Sequence, residues 1–102
     1  MTKLFISQPM KGRTDEEIKR ERIEAVEMAS TLIKGEIEVI DSFFEKAPVD
    51  AKPMWFLGKS IELLSTADAV FFCKGWEEAR GCRIEHEVAH QYNIPLIIVD
   101  HN

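Results

Sequence analysis

The chain has little of what would take it out of the ordinary globular class. Its two cysteines, Cys73 and Cys82, are too few for a disulfide framework, and a reducing compartment would keep them as thiols. Only four prolines and five glycines occur in 102 residues, which excludes collagen-like and low-complexity chains. No apolar run approaches the roughly 18 residues of a membrane span, and no basic stretch with an apolar core follows Met1. A cytoplasmic protein with no membrane partner is the expectation. Positive charge is the scarcer sign, 13 Lys and Arg against 18 Asp and Glu, for a net charge of -5. Such a balance gives no reason to expect a nucleic-acid polymer as partner.

What remains is enough for one core. Hydrophobic residues make up 45% of the chain, and a chain of this length buries roughly two-thirds of its unfolded surface on folding. Residues 1–102 are therefore expected to form a single domain. The apolar run at residues 3–7 reads as a strand, and Gln8, Pro9 and Gly12 break it. Thr14 and Glu17 have capping-box spacing, and Ile18, Ile23, Val26, Ala29 and Ile33 follow near helical period, giving a long helix that ends near Gly35. Residues 36–41 alternate as a second strand, and residues 42–53 form a loop able to act as a lid.

Met54, Leu57, Ile61 and Leu64 recur at the spacing of one helix face, so a helix is expected from Pro53 to about Thr66 with these residues inward. Trp55, Phe56 and Leu63 are left over, and an apolar remainder of that size points to a homodimer or larger homo-oligomer. Residues 68–73 are almost wholly apolar and predict a central strand buried on both faces. A polar loop to Gly81, a helix from Cys82 to about Tyr92 and a last buried strand at residues 95–99 complete the order βαβαβαβ. That order predicts an α/β fold: a flavodoxin-like doubly wound parallel sheet of about four strands with helices on both faces. Ligands bind outside the carboxyl ends of such strands, which directs attention to residues 7–12, 41–44 and 74–85.

Two constellations carry chemistry. His86-Glu87-Val88-Ala89-His90 matches the H-E-x-x-H zinc spacing, but the third ligand would have to come from Asp100, His101 or Asn102, beyond an extended strand. A solvated helix face explains it without metal. The second is the stretch from Gly75 to Glu85, in which a loop after the central strand runs through Gly81 into a helix with Glu85 in its first turn. A helix N-terminus favours the anion, so Glu85 is expected to stay ionised as a nucleophile or base, the bland alternative being dipole complementation alone.

Three pieces of the chain resemble the nucleoside 2-deoxyribosyltransferase-like superfamily, and more closely its small bacterial and phage branch. They are the opening FISQPMKG, the acid Asp68 at the head of a buried strand, and GWEEARGCRIEHEVA with its Gly81, Glu85 and Ala89. The resemblance implies an enzyme without metal or cofactor whose small-molecule partner is a nucleoside or nucleotide. In it Glu85 would attack the anomeric carbon of a 2-deoxyribosyl group and release the base, while Asp68 would bind and protonate that base. Water would then give hydrolysis, and a second base exchange.

The resemblance further implies that Ser7, Gln8, Met10, Lys11 and Gly12 form a loop around sugar or 5′-phosphate. Backbone donors there, beside the N-terminus of a long helix, make an anion site plausible, with Lys11 and Arg13 adding charge. Asp41, Glu78 and Gly81 are further candidate contacts, and Trp76, Trp55 and Phe43 are candidates for stacking on the base. Two departures bear on the substrate: relatives often carry Asp or Ser where this chain has Ala79, and Gly where it has Glu87. A nucleotide-binding module without turnover, or a zinc hydrolase, are the alternatives.

Overall fold

Local sequence sets where the elements begin. The Thr14 hydroxyl accepts the Glu17 N–H at 3.1 Å, and the Glu17 carboxylate accepts the Thr14 N–H at 3.0 Å, so the first helix starts at Asp15. The computed structural model describes residues 1–44 and 46–99. It places β1 at Thr2–Ser7, α1 at Asp15–Ser30, β2 at Ile37–Val39 and α2 at Pro53–Leu64. These are followed by β3 at Ala69–Phe72, a single 3-10 turn at Trp76–Glu78, α3 at Arg80–Gln91 and β4 at Leu96–Ile98.

The four strands are all parallel, in the order β2-β1-β3-β4. Period-two alternation along β1 and β3 feeds two cores. Leu4, Ile6, Phe71 and Cys73 face α1, where Ala25 and Ala29 let the helix lie close to the sheet. Phe5, Val70 and Phe72 face the other way, against Leu64 of α2 and Ala89 of α3. Helices therefore cover both faces, and the architecture is a doubly wound, flavodoxin-like α/β sheet. Among the described residues no helix is long and apolar enough to cross a membrane.

Three expectations need correcting. The apolar run before Asp100 is not a buried strand: β4 has one neighbour, Leu96 and Ile97 are half-buried, and Ile98 is exposed. Apolar composition alone does not distinguish an edge from a centre. On α2 the inward set is Ile61, Leu63 and Leu64, while Met54 is 81% exposed at the first turn. The remaining rings form a cluster of their own, Trp55 edge-on to both Phe44 and Phe56 at centroid separations of 5.8 and 5.1 Å. Finally, α3 begins at Arg80, two residues early, so Glu85 stands in its second turn and no acid occupies the first.

Candidate functional site

The chain leaves β1 toward β2 on one side and reaches β3 on the other, so the order of winding reverses between β1 and β3. A crevice at such a reversal, at the carboxyl ends of the strands, is where doubly wound sheets hold ligands. Here it is a cleft of about 780 Å³, within the roughly 300–1,000 Å³ range of small-molecule sites. Its walls come from the exits of β1, β2 and β3, from Phe56 and Ser60 of α2, and from the start of α3.

Glu85 lies in this cleft, 7% exposed. The Ser7 hydroxyl, at the last position of β1, donates to Glu85 Oε1 at 2.7 Å. Ser7 is itself held by its carbonyl, which accepts the Cys73 N–H at 2.9 Å across to the β3 exit. Burial pushes the Glu85 carboxyl up to about 7, while the Ser7 and Ser60 hydroxyls pull in the other direction. The expectation of a fully ionised Glu85 is thus corrected. Desolvation outweighs the helix dipole once the residue sits a full turn inside α3, and near neutrality the carboxyl is about half charged.

The lining inverts the charge balance of the molecule. Among the described residues, Lys11, Arg13, Lys74, Arg80 and Arg83 line the cleft against the two carboxylates Glu78 and Glu85. Arg13 is committed to the protein, with Nη1 2.6 Å from Glu21 and 3.1 Å from the Pro9 carbonyl, and Arg83 Nη1 donates to the Glu77 carbonyl at 3.0 Å. Burial also raises the two thiols, Cys82 to about 11 and Cys73 to about 12, so neither is a thiolate nucleophile at neutral pH.

The other expected site residues divide. Met10, Lys11, Glu78 and Gly81 line the cleft with Glu85. Gln8 lines it too, but its amide is spent: Nε2 donates to the Ile18 carbonyl and to Glu21, both at 2.9 Å, so it ties the β1 exit to α1. Gly12 is outside the lining and serves the turn, where its φ of +77° suits a residue without Cβ. Asp41 is not in the lining around Glu85; it lines an adjoining hollow of about 420 Å³ with Lys46, Trp55, and the Phe43 and Phe44 that the hollow shares with the cleft. Trp76 is absent from both hollows, because its ring stacks on His86 at 4.6 Å and packs against Phe72 at 5.1 Å.

Asp68 is at the wrong end of the sheet. It precedes β3, and its Oδ2 accepts the Lys3 N–H at 2.8 Å near the start of β1, whereas Glu85 lies at the carboxyl ends of the same strands. A parallel strand separates its two ends by its own length, so Asp68 does not touch a ligand bound over Glu85. The two histidines of the zinc alternative have different surroundings. His86 is half-buried in its stack with Trp76, and His90 is exposed. Among the described residues no three ligating side chains converge, and Asp100, His101 and Asn102 lie outside them.

Sequence reasoning missed Ser60, and it reached Lys74, Arg80 and Ser42 only as members of the strand-exit stretches 74–85 and 41–44. Ser42 is 4% exposed and lines the cleft, and its Oγ has no hydrogen-bond partner among the described residues. Its only advance signal was its position just after a strand exit.

Comparison with known proteins agrees with the fold and leaves the chemistry to the site itself. Search of curated proteins gives no match. A solved structure, described as a conserved protein from Enterococcus faecalis V583, is similar with a TM-score of 0.64 and 18% identity. The alignment covers 96% of this chain and 62% of that one, so this chain spans under two-thirds of its neighbour's length. Residues 2–98 match the family described as a domain of unknown function, DUF4406. With nearly all of its length inside that match, the chain belongs to the DUF4406 family.

Proposed function

We propose that the protein breaks the N-glycosidic bond of a 2-deoxyribosyl nucleoside or nucleotide, with Glu85 as nucleophile. The observation that carries this reading is the buried Glu85 carboxylate, fixed by Ser7 on the floor of a cation-lined cleft at the β1/β3 reversal. The resemblance of the Gly75 to Ala89 stretch to deoxyribosyltransferases supports it.

In the ionised form a Glu85 oxygen attacks the anomeric carbon as the bond to the base nitrogen breaks. The bonding pair leaves with the base, which takes up a proton, and the sugar becomes an ester of Glu85. Because a 2-deoxy sugar lacks the electron-withdrawing 2-hydroxyl, positive charge develops readily at that carbon, and a fixed carboxylate below the ring stabilises it. Water or a second base then attacks the same carbon and frees Glu85. Ser7 positions the nucleophile and keeps its acidity within reach of neutral pH.

One observation favours a second reading, a nucleotide-binding module without turnover. With Asp68 removed from the site, Glu78 is the only other carboxylate among the described residues of the lining, and none of these gives the leaving base a buried acid.

The deciding experiment incubates the protein with a panel of deoxynucleosides and their 5′-monophosphates, with and without a chelator, and follows free base by chromatography. Glu85→Gln should lower base release by about 10²–10⁴-fold, the scale on which positioned reactive groups contribute, and chelator should have no effect. Binding without release would establish the module. Release that survives Glu85→Gln would refute the nucleophile assignment.

A further inference from the structure

The first histidine of the H-E-x-x-H match, His86, takes no part in the reaction drawn at Glu85, yet its ring is closely held. The imidazole lies flat on the Trp76 indole, at a centroid separation of 4.6 Å and an angle of 11°. Both rings lean on the fully buried Phe72 of β3, Trp76 at 5.1 Å and 53°, His86 at 5.3 Å and 60°. Each pair falls within the separation at which aromatic rings attract beyond the area they bury. Among the described residues no hydrogen bond reaches the indole or the imidazole, so ring packing and not polar contact fixes them.

What the Trp76 ring anchors is a wall of the cleft. Its backbone opens the single turn Trp76–Glu78, in which no residue is buried and no side chain caps the start. Gly75 enters the turn at a φ of +86°. Three backbone bonds close it: the Trp76 N–H to the Cys73 carbonyl at 3.1 Å, the Glu78 N–H to that of Gly75 at 3.0 Å, and the Ala79 N–H to that of Trp76 at 3.2 Å. A turn so short, with exposed acids at Glu77 and Glu78, opens easily unless one of its side chains is inserted into the body of the protein. Trp76 is that side chain, packed against the core formed by Val70, Phe72, Leu64 and Ala89. Its neighbours Gly75, Glu78 and Ala79 line the cleft with Glu85.

We infer that His86 is a positioning residue: by covering one face of the Trp76 indole it holds the Trp76–Glu78 turn against β3, and so fixes the wall that presents Glu78 and Ala79 to a ligand in the cleft. His86 adjoins Glu85 on α3, so the helix that carries the buried carboxylate also sets where this wall stands. Glu78 is the only other carboxylate among the described residues of the lining, and the stack therefore decides the place of the second negative charge. The imidazole acts here as a flat ring, and the H-E-x-x-H match acquires a role that its nitrogens do not enter. The consequence for turnover rests on the N-glycosidic reading, whereas the hold on the turn rests on ring geometry alone.

The test compares three replacements in the full chain. His86→Phe keeps a flat ring and loses the nitrogens, His86→Gln keeps a polar group and loses the ring, and His86→Ala loses both. Hydrogen exchange at the Trp76, Glu78 and Ala79 amides, followed by NMR, should quicken about two- to tenfold in His86→Ala and His86→Gln, the factor that loss of a ring pair implies. In His86→Phe it should stay at the parent's rate. With deoxynucleoside 5′-monophosphates as substrates, the Ala and Gln replacements should raise KM by a similar factor without moving the pH at which kcat/KM rises, and Phe should restore it.

Rescue by Gln and not by Phe would show that the imidazole works through its nitrogens, and would overturn the inference. So would β1 amides that quicken in His86→Ala while those of the turn keep the parent's rate. A quickened turn with an unchanged KM would confine the stack to the fold and remove its part in placing the wall. If the exchange pattern appears in a protein that releases no base, the hold of His86 on the wall stands and the N-glycosidic reading falls.

Discussion

Two acids frame β3, one near each end of the sheet, and they have opposite fates. Asp68 precedes the strand, remains exposed, and accepts one backbone N–H from Lys3. Glu85 follows it, on the helix that the strand leads into, and is buried with a single short bond from Ser7. The chemistry of the two side chains is nearly the same, so the difference comes from position. At the amino end the acid joins adjacent strands and keeps its water. At the carboxyl end the strand exits and the start of α3 line a cleft, and the acid lies in it without filling it. Stabilising one acid and straining the other is how a sheet of this kind becomes a scaffold at one edge and a reactive surface at the other.

The largest effect that separates them is on stability against pH. Glu85 rises from its ordinary 4.5 to about 7, so the folded state holds a proton there that the unfolded chain releases. Stability associated with this group is fully present below about pH 4.5 and falls as pH rises through 7, by about 3 kcal/mol over the interval. Glu85→Gln should abolish this fall and unfold at a higher temperature than the parent at pH 8, as read from melting curves across pH 4 to 8. A variant with the parent's slope would mean that Glu85 is not the buried titrating acid.

Next in size is the Ser7 hydrogen bond. Removing the donor with Ser7→Ala takes away a bond to a charged acceptor worth about 1.5–3 kcal/mol, and the ionised form of Glu85 loses that support. If the ionised carboxylate is the nucleophile, kcat/KM of the parent should rise with pH through about 7 and then level. Ser7→Ala should carry this rise to higher pH by about one unit or more, so the deficit narrows as pH increases. A loss of the same factor at every pH would show that Ser7 serves the fold and not the acidity of Glu85.

The two acids also measure how much could be read in the chain. Capping-box spacing located the start of α1, although the helix ends at Ser30 and not near Gly35, and the apolar run at residues 68–73 located the central strand, because each of these signals is local and strong. The choice of Glu85 followed from its place after that strand. Its ionisation did not follow, since the helix start at Arg80 lacks a capping side chain to mark it and burial depends on α2 packing overhead. Ser42 was illegible for a related reason: an unpartnered hydroxyl is defined by what fails to surround it. The misplacement of Asp68 is different in kind. Reading the strand direction from residue order already puts Asp68 at the amino end, and only the resemblance drew it toward the site.

The smallest effect is therefore the most direct check on that correction. Asp68→Ala removes one acceptor from an exposed backbone N–H, a bond worth about 0.5–1.5 kcal/mol, and the Asp68 N–H keeps its own bond to the Lys3 carbonyl at 2.8 Å. The variant should melt a few degrees lower, yet bind nucleotides and release base at the parent's rate once folded. Because the lost bond joins β1 to β3 at their amino ends, any disturbance it causes has to pass along the full length of both strands before it reaches Ser7. A rate lowered a hundredfold in a well-folded Asp68→Ala protein would therefore mean that this acid reaches the substrate, and that the cleft over Glu85 is not where the reaction takes place.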